Sequence, residues 1–335
     1  MKDKRVSTRS VKKTKERIHS SKGSNRKSVQ SPSNQKIKLF PIVAIGASAG
    51  GLEAMTQLLK HLPSSIGMAF IYVQHLSPDH ESILASLLSK TSKMPVREIT
   101  DMTLIEPDNV YVMPADKEMN VVDGKIKLSP RPRGRIVNLL IDVFFTSLAE
   151  NHRENVIGVI LSGSATDGTR GMKAIKDEGG LTFAQDGTAK FSSMPKSAIG
   201  AGVVDYVLSP EQIAKELIRL SKHPYIKSNG VKKPKEDEID NNSSDLKFIL
   251  TLLQRSFGVN FGLYKMNTIK RRIIRRMLLH KIKTLKEYTN LLNEKKEETE
   301  ILFNDLLINV TYFFREPEAC RYLKTTLFPK LLKAK

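Results

Sequence analysis

Pro41-Ile42-Val43-Ala44-Ile45-Gly46-Ala47-Ser48-Ala49-Gly50-Gly51-Leu52 decides the fold. The stretch opens as an unbroken apolar run, the pattern of a strand buried on both faces. It then passes through small residues and glycines into Leu52-Glu53-Ala54-Met55-Thr56-Gln57-Leu58-Leu59, which reads as a helix. A strand that enters a helix through a glycine turn begins an open parallel sheet. Glycine before and after Ser48 permits a sharp turn, which presents the hydroxyl at the sheet edge with a helix N-terminus behind it.

Two other runs have the same character. Phe70-Ile71-Tyr72-Val73-Gln74 ends at His75, and Val156 to Leu161 leads through Ser162-Gly163-Ser164-Ala165-Thr166 to Asp167. Sites in such sheets form outside the carboxyl ends of the strands. A serine, a histidine and an aspartate delivered to that edge make a nucleophile, a base and an orienter. Their chain order is not the Ser–Asp–His order of α/β-hydrolases. Backbone N–H groups at the turn could hold an oxyanion, but a glycine turn after a first strand equally suits a phosphate. A non-hydrolytic phosphate- or nucleotide-binding regulatory module therefore stays open as the alternative.

Among the histidines only His75 ends a strand. His61 precedes Leu62-Pro63 at a helix end, His80 follows Pro78, and His152 falls in the polar stretch Glu150-Asn151-His152-Arg153. Asp167 is preferred to Asp79, Asp116 and Asp186 because a strand delivers it into a loop of small polar residues.

The rest of residues 38–222 alternates short strands with helical periods. Ser82–Leu88 and Val137–Leu148 read as helices, while Leu181–Ala184 and Val204–Leu208 read as strands. Pro210–Leu220 is a helix with proline in its first turn. Val110–Met113 and Met119–Leu128 read as antiparallel strands, with Asp123-Gly124 as a hairpin turn. The fold class is α/β: a doubly wound, mainly parallel sheet with an antiparallel hairpin, followed by a small all-α domain.

Charge divides the 335 residues differently from hydropathy. The formal net charge of +20 comes from +10 over residues 1–36, −1 over 37–245 and +11 over 246–335. Residues 1–37 have no apolar period and read as a disordered basic tail, open to an acidic partner. Residues 223–244 read as a charged linker. The near-neutral catalytic region argues against a nucleic-acid substrate. One cysteine, Cys320, fits a reducing, cytoplasmic setting, and no run approaches a membrane span.

Taken in order, Ile45 to Ala54, Gln74-His75-Leu76 and Leu161 to Gly168 resemble the catalytic domain of chemotaxis protein-glutamate methylesterases. Met194 to Ile199 and Val204 to Leu208 resemble that family's closing segment. The resemblance implies a serine hydrolase that demethylates glutamate methyl esters on chemoreceptor-like helical proteins without a cofactor or metal. Ser48 would be the nucleophile, His75 the base and Asp167 the orienter, with backbone N–H groups of Ala49 and Ser164 as oxyanion donors. The family commonly has threonine and methionine at these last two positions. Both act through backbone, so the chemistry carries over.

From Asp245 onward only helical periods occur. In Lys265–Leu278 an apolar face (Ile269, Ile273, Met277) alternates with Arg271, Arg272, Arg275 and Arg276, as a solvated face or as a surface for an acidic protein partner or nucleic acid. No aromatic interleaves the arginines, which disfavours single-stranded nucleic acid. Phe257–Phe328 resembles the N-terminal helical domain of chemotaxis receptor methyltransferases. That likeness implies that the arginine helix docks on receptor helices. It also implies that Asn309, Thr311 and Arg315 contribute to an S-adenosylmethionine pocket. The pocket's other half would lie in a domain expected after Lys335.

Overall fold

The computed structural model describes residues 40–76, 83–131, 139–226, 239–307 and 321–333. By internal contacts the chain divides into Met1–Ile37 and Lys38–Lys335. The basic tail lies outside the described residues, and the fold belongs to the second unit.

The elements run β1 (Ile42–Ala47), α1 (Gly51–Lys60), β2 (Ala69–Gln74), α2 (Leu84–Ser89), β3 (Val96–Glu98), β4 (Thr103–Leu104), β5 (Val110–Val112), β6 (Lys117–Val122) and β7 (Lys125–Pro130). They continue with α3 (Leu140–His152), β8 (Val156–Ile160), α4 (Thr169–Asp177), β9 (Leu181–Gln185), α5 (Ser193–Gly200), β10 (Tyr206–Leu208) and α6 (Pro210–Ser221). A helical region follows: α7 (Ser244–Phe257), α8 (Met266–Leu279), α9 (Leu285–Glu294), α10 (Lys296–Leu306) and α11 (Phe328–Lys333).

Seven strands form one sheet in the order β10-β9-β8-β1-β2-β5-β3, parallel throughout. The first strand is central because every one of its residues is apolar or small and buried. Its alternate side chains serve two cores. Val43, Ile45 and Ala47 join Met55 and Leu58 of α1, whereas Ile42 and Ala44 join Phe144 and Phe145 of α3. Helices on both faces are what an all-parallel sheet requires. Strand order reverses at β1, with β2 on one side and β8 on the other, so the ligand crevice is expected outside the carboxyl ends of these three strands.

The structure corrects one strand. Val110–Val112 lies parallel to β2 and β3 in the main sheet and is not part of the antiparallel unit. Its residues are fully buried, which suits an inner parallel strand. The antiparallel unit is a separate small sheet, β4-β7-β6. The expected hairpin turn is there, with positive φ at both Asp123 (50°) and Gly124 (73°), as a two-residue hairpin of this hand needs.

Among the described residues beyond Ser244 only helices occur, as expected. The helical region is not set apart from the sheet by packing. Leu246, Ile249 and Leu253 of α7 and Ile269, Ile273 and Met277 of α8 share one buried cluster with Ile157, Leu181 and Ile213. Tyr206 and Arg219 also reach the Leu278 carbonyl, and the His223 ring donates to the carbonyl of Ile282 (2.8 Å).

Candidate active site

Parallel pairing sets Ala47 opposite Gln74, so Ser48 and His75 are the next residues out from adjacent strands. The His75 N–H donates to the Ala47 carbonyl at 3.2 Å, and Gln74 Nε2 donates to the Ser48 carbonyl at 3.5 Å. On the other side of β1, β8 feeds the loop that carries Asp167. The three residues from distant sequence thus arrive at one edge.

Asp167 is fixed from several directions. Its side chain is 2 % exposed, and Oδ2 accepts from His75 Nε2 at 2.7 Å and from the Ile141 N–H at 2.9 Å. The other oxygen accepts from the N–H groups of Asp142 and Gly168, each at 2.9 Å. Ile141 and Asp142 lie in the first turn of α3, where unpaired N–H groups point outward and suit an anion. The carboxylate partner places the ring proton on Nε2 and leaves Nδ1 as the basic nitrogen. No hydrogen bond joins the Ser48 hydroxyl to that ring among the described residues. Such bonds are often long before substrate arrives.

The serine turn needs its glycines for space and conformation. Gly50 has φ +73°, and a Cβ there would lie 2.7 Å from Ser162 Oγ. A Cβ on Gly51 would meet Ala47 at 2.5 Å and the Tyr72 hydroxyl at 2.9 Å. Tyr72 in turn donates to Gln74 at 2.7 Å, and burial pushes its hydroxyl pKa well up, so it stays a donor. Across the site, Ala165 adopts φ +69° in the loop before Asp167. Among the described residues neither the Ala49 nor the Ser164 N–H donates a hydrogen bond, so both are free for a ligand oxygen.

The competing residues lie elsewhere. Asp186 accepts from Thr188, and Asp116 pairs with neighbouring Lys117. His61 contacts its own helix through Gln57, and His152 ends α3, where burial lowers its pKa. Asp79 and His80 lie outside the described residues.

Residues 43–217 match the family model described as CheB methylesterase. The chain belongs to the CheB methylesterase family. Residues 244–307 match a second model, the CheR methyltransferase all-alpha domain. A relative in Leptospira interrogans, a putative protein-glutamate methylesterase/protein-glutamine glutaminase, is 37 % identical over 55 % of this chain and 96 % of its own. A Pseudomonas aeruginosa protein-glutamate methylesterase/protein-glutamine glutaminase is 35 % identical over 52 % of this chain and 53 % of its own. A Rhodobacter capsulatus 104.1 kDa uncharacterized protein is 35 % identical over 70 % of this chain, which spans 27 % of that protein's length. The crystal structure of the Thermotoga maritima CheB methylesterase catalytic domain superposes with a TM-score of 0.51 at 33 % identity, covering 54 % of this chain and 98 % of that one.

Within this CheB fold several supporting residues carried no sequence signal. Ser162 and Gln185 brace the serine turn, and Arg131 donates from Nη1 to the carbonyls of Leu76 (2.9 Å) and Ala115 (3.1 Å), fixing the residue after His75. Asp142 is a second buried carboxylate behind Asp167. Burial raises its pKa, and the charge of Asp167 adds to that, against a 2.7 Å hydrogen bond from Gly171.

The four arginines of α8 are turned inward. Arg275, 1 % exposed, donates to the carbonyl of Gly180 (3.1 Å) and pairs with Asp205 and Asp305. Arg272 caps the C-terminal end of α4 through the carbonyls of Lys176 and Asp177. Arg271 pairs with Glu154 at 3.3 Å, and Arg276 with Glu298. The expected docking face for receptor helices is thus engaged by the chain itself, at the end of the sheet opposite Ser48. The expected cofactor residues Asn309, Thr311 and Arg315 lie outside the described residues. Among those that are described, no helix is long and apolar enough to cross a membrane.

Proposed function

We propose that this chain is a cytoplasmic serine esterase that removes methyl groups from glutamate γ-methyl esters on chemoreceptor-like helical proteins. The observation that carries the proposal is the 2.7 Å bond from His75 to a buried, backbone-clamped Asp167, one strand away from Ser48. A simple phosphate cradle has no use for that pair.

The Ser48 hydroxyl passes its proton to His75 Nδ1 as Oγ bonds to the ester carbonyl carbon, and Asp167 steadies the resulting imidazolium. The oxyanion sits on the Ala49 and Ser164 N–H groups. As the carbonyl re-forms, the C–O bond to methoxide breaks, and methoxide leaves as methanol with the proton from His75. Water then gives its proton to His75 and attacks the acyl carbon. Collapse of the second intermediate returns the proton to Ser48 and releases glutamate. A glutamine side chain would follow the same route with ammonia as leaving group.

A fluorophosphonate should modify Ser48, and peptide mass spectrometry would locate the adduct. His75→Ala should slow labelling by at least 100-fold. Labelling elsewhere, or labelling indifferent to His75, would favour the binding-module alternative. For the helical part, the proposal is that Asn309, Thr311 and Arg315 contribute to an S-adenosylmethionine pocket. Arg315→Ala should weaken S-adenosylmethionine binding, measured by calorimetry.

A further inference from the structure

Ser162 is 1 % exposed and joins three loops at the catalytic edge. Its carbonyl accepts from the Ser48 N–H at 3.0 Å. Its hydroxyl donates to the Ala49 carbonyl at 2.8 Å and accepts from the Phe191 N–H at 3.0 Å. Its own N–H donates to Gln185 Oε1 at 2.9 Å, at the end of β9. Phe191 closes the ring by accepting from the Gly163 N–H at 2.9 Å. The loops after β1, β8 and β9 are therefore tied at one side chain, and only glycine at position 50 lets the hydroxyl approach this closely.

We propose that the Ser162 hydroxyl is the positioning group that fixes the two oxyanion donors relative to each other. The inference rests on the esterase reading above. Ala49, whose carbonyl it holds, carries one donor, and Ser164, two residues along, carries the other. The hydroxyl touches no reacting atom and acts through the adjoining backbone, holding the Ala49–Gly50 peptide next to the one that carries the first donor. An oxyanion hole works only where its donors sit at about 2.7–3.1 Å from the developing charge, so a few tenths of an ångström of play weakens it. Substrate in its ground state does not depend on that distance, so the loss should fall on turnover and spare affinity.

The test is steady-state kinetics of the full chain on a methylated receptor peptide, with active sites counted by phosphonate titration. Normalising to titrated sites removes any loss due merely to a smaller folded fraction. Ser162→Ala should lower kcat per titrated site by about tenfold or more, with KM within twofold. Ser162→Cys, which keeps the volume but weakens both bonds, should fall between it and the parent, and it serves alone if the alanine chain does not fold. A kcat per site within twofold of the parent in whichever variant folds would overturn the inference, as would a loss confined to KM. Ser48→Ala separates the two levels: full activity in that variant defeats the esterase reading itself, whatever Ser162 does.

Discussion

Asp167 holds His75 at 2.7 Å with the same oxygen that receives the Ile141 N–H from the start of α3. The carboxylate of the pair is thus built into a helix N-terminus, and its position cannot drift without breaking backbone hydrogen bonds. Asp167→Asn can satisfy those donors with only one oxygen, and its amide offers a proton where His75 needs an acceptor. We expect kcat to fall by about 10⁴-fold with KM nearly unchanged, measured as methanol release. Asp186→Asn, whose carboxylate faces Thr188, should stay within a few-fold of the parent.

The helical region is attached by buried charge. Arg275→Ala removes the guanidinium that Asp205 and Asp305 share. Among the described residues it leaves the 5 % exposed Asp205 only Lys176 at 3.8 Å, and Asp305 only Arg276 at 3.9 Å, as ion-pair partners. Breaking a buried pair by removing one partner costs about 3–5 kcal/mol, so unfolding should begin at clearly lower denaturant. Because this contact lies at the opposite end of the sheet from Ser48, activity per titrated site at low temperature should hold within threefold. A fall in turnover with unchanged stability would mean that α8 acts on the site directly.

His223 gives a pH dependence of definite sign. Burial lowers its pKa, its Nε2–H donates to the Ile282 carbonyl, and its Nδ1 receives the Tyr225 N–H at 3.4 Å. The folded chain therefore binds this proton less readily than the unfolded chain. The contribution to stability is fully present above the ordinary histidine pKa of about 6.5 and is lost as pH falls through it towards the folded value. Glu298 acts in the same direction at lower pH. Burial opposes its charge, but the Arg276 guanidinium outweighs burial and holds the pKa below the usual carboxylate range. Urea midpoints should decline from about pH 7.5 to 5.5, and His223→Gln should flatten that slope while lowering the plateau.

That Ser48, His75 and Asp167 meet at one edge was legible because each follows a buried strand, and strand ends at the switch point are where parallel sheets build sites. The hairpin turn at Asp123-Gly124 was legible because few other pairs accept two positive φ values. Val110–Met113 was misplaced because a four-residue apolar run carries no mark of its partner strand. The arginines of α8 were harder still. Amphipathic spacing separates an apolar face from a polar one, but it does not show whether the polar face meets water. Here the acids that receive Arg271 and Arg275 lie 117 and 70 residues earlier in the chain, at Glu154 and Asp205. Ser162 was invisible for a related reason: its role consists of contacts to Ala49, Phe191 and Gln185, none of them local.

The central claim is that Ser48 is the nucleophile, and methanol release from a methylated receptor by Ser48→Ala tests it most directly. Alanine keeps the Cβ and removes only a hydroxyl that makes no hydrogen bond among the described residues, so the melting temperature should stay close to the parent's. Methanol release should fall to background, at least 10³-fold below the parent. A folded Ser48→Ala chain that still releases methanol at a substantial fraction of the parent rate would contradict the account.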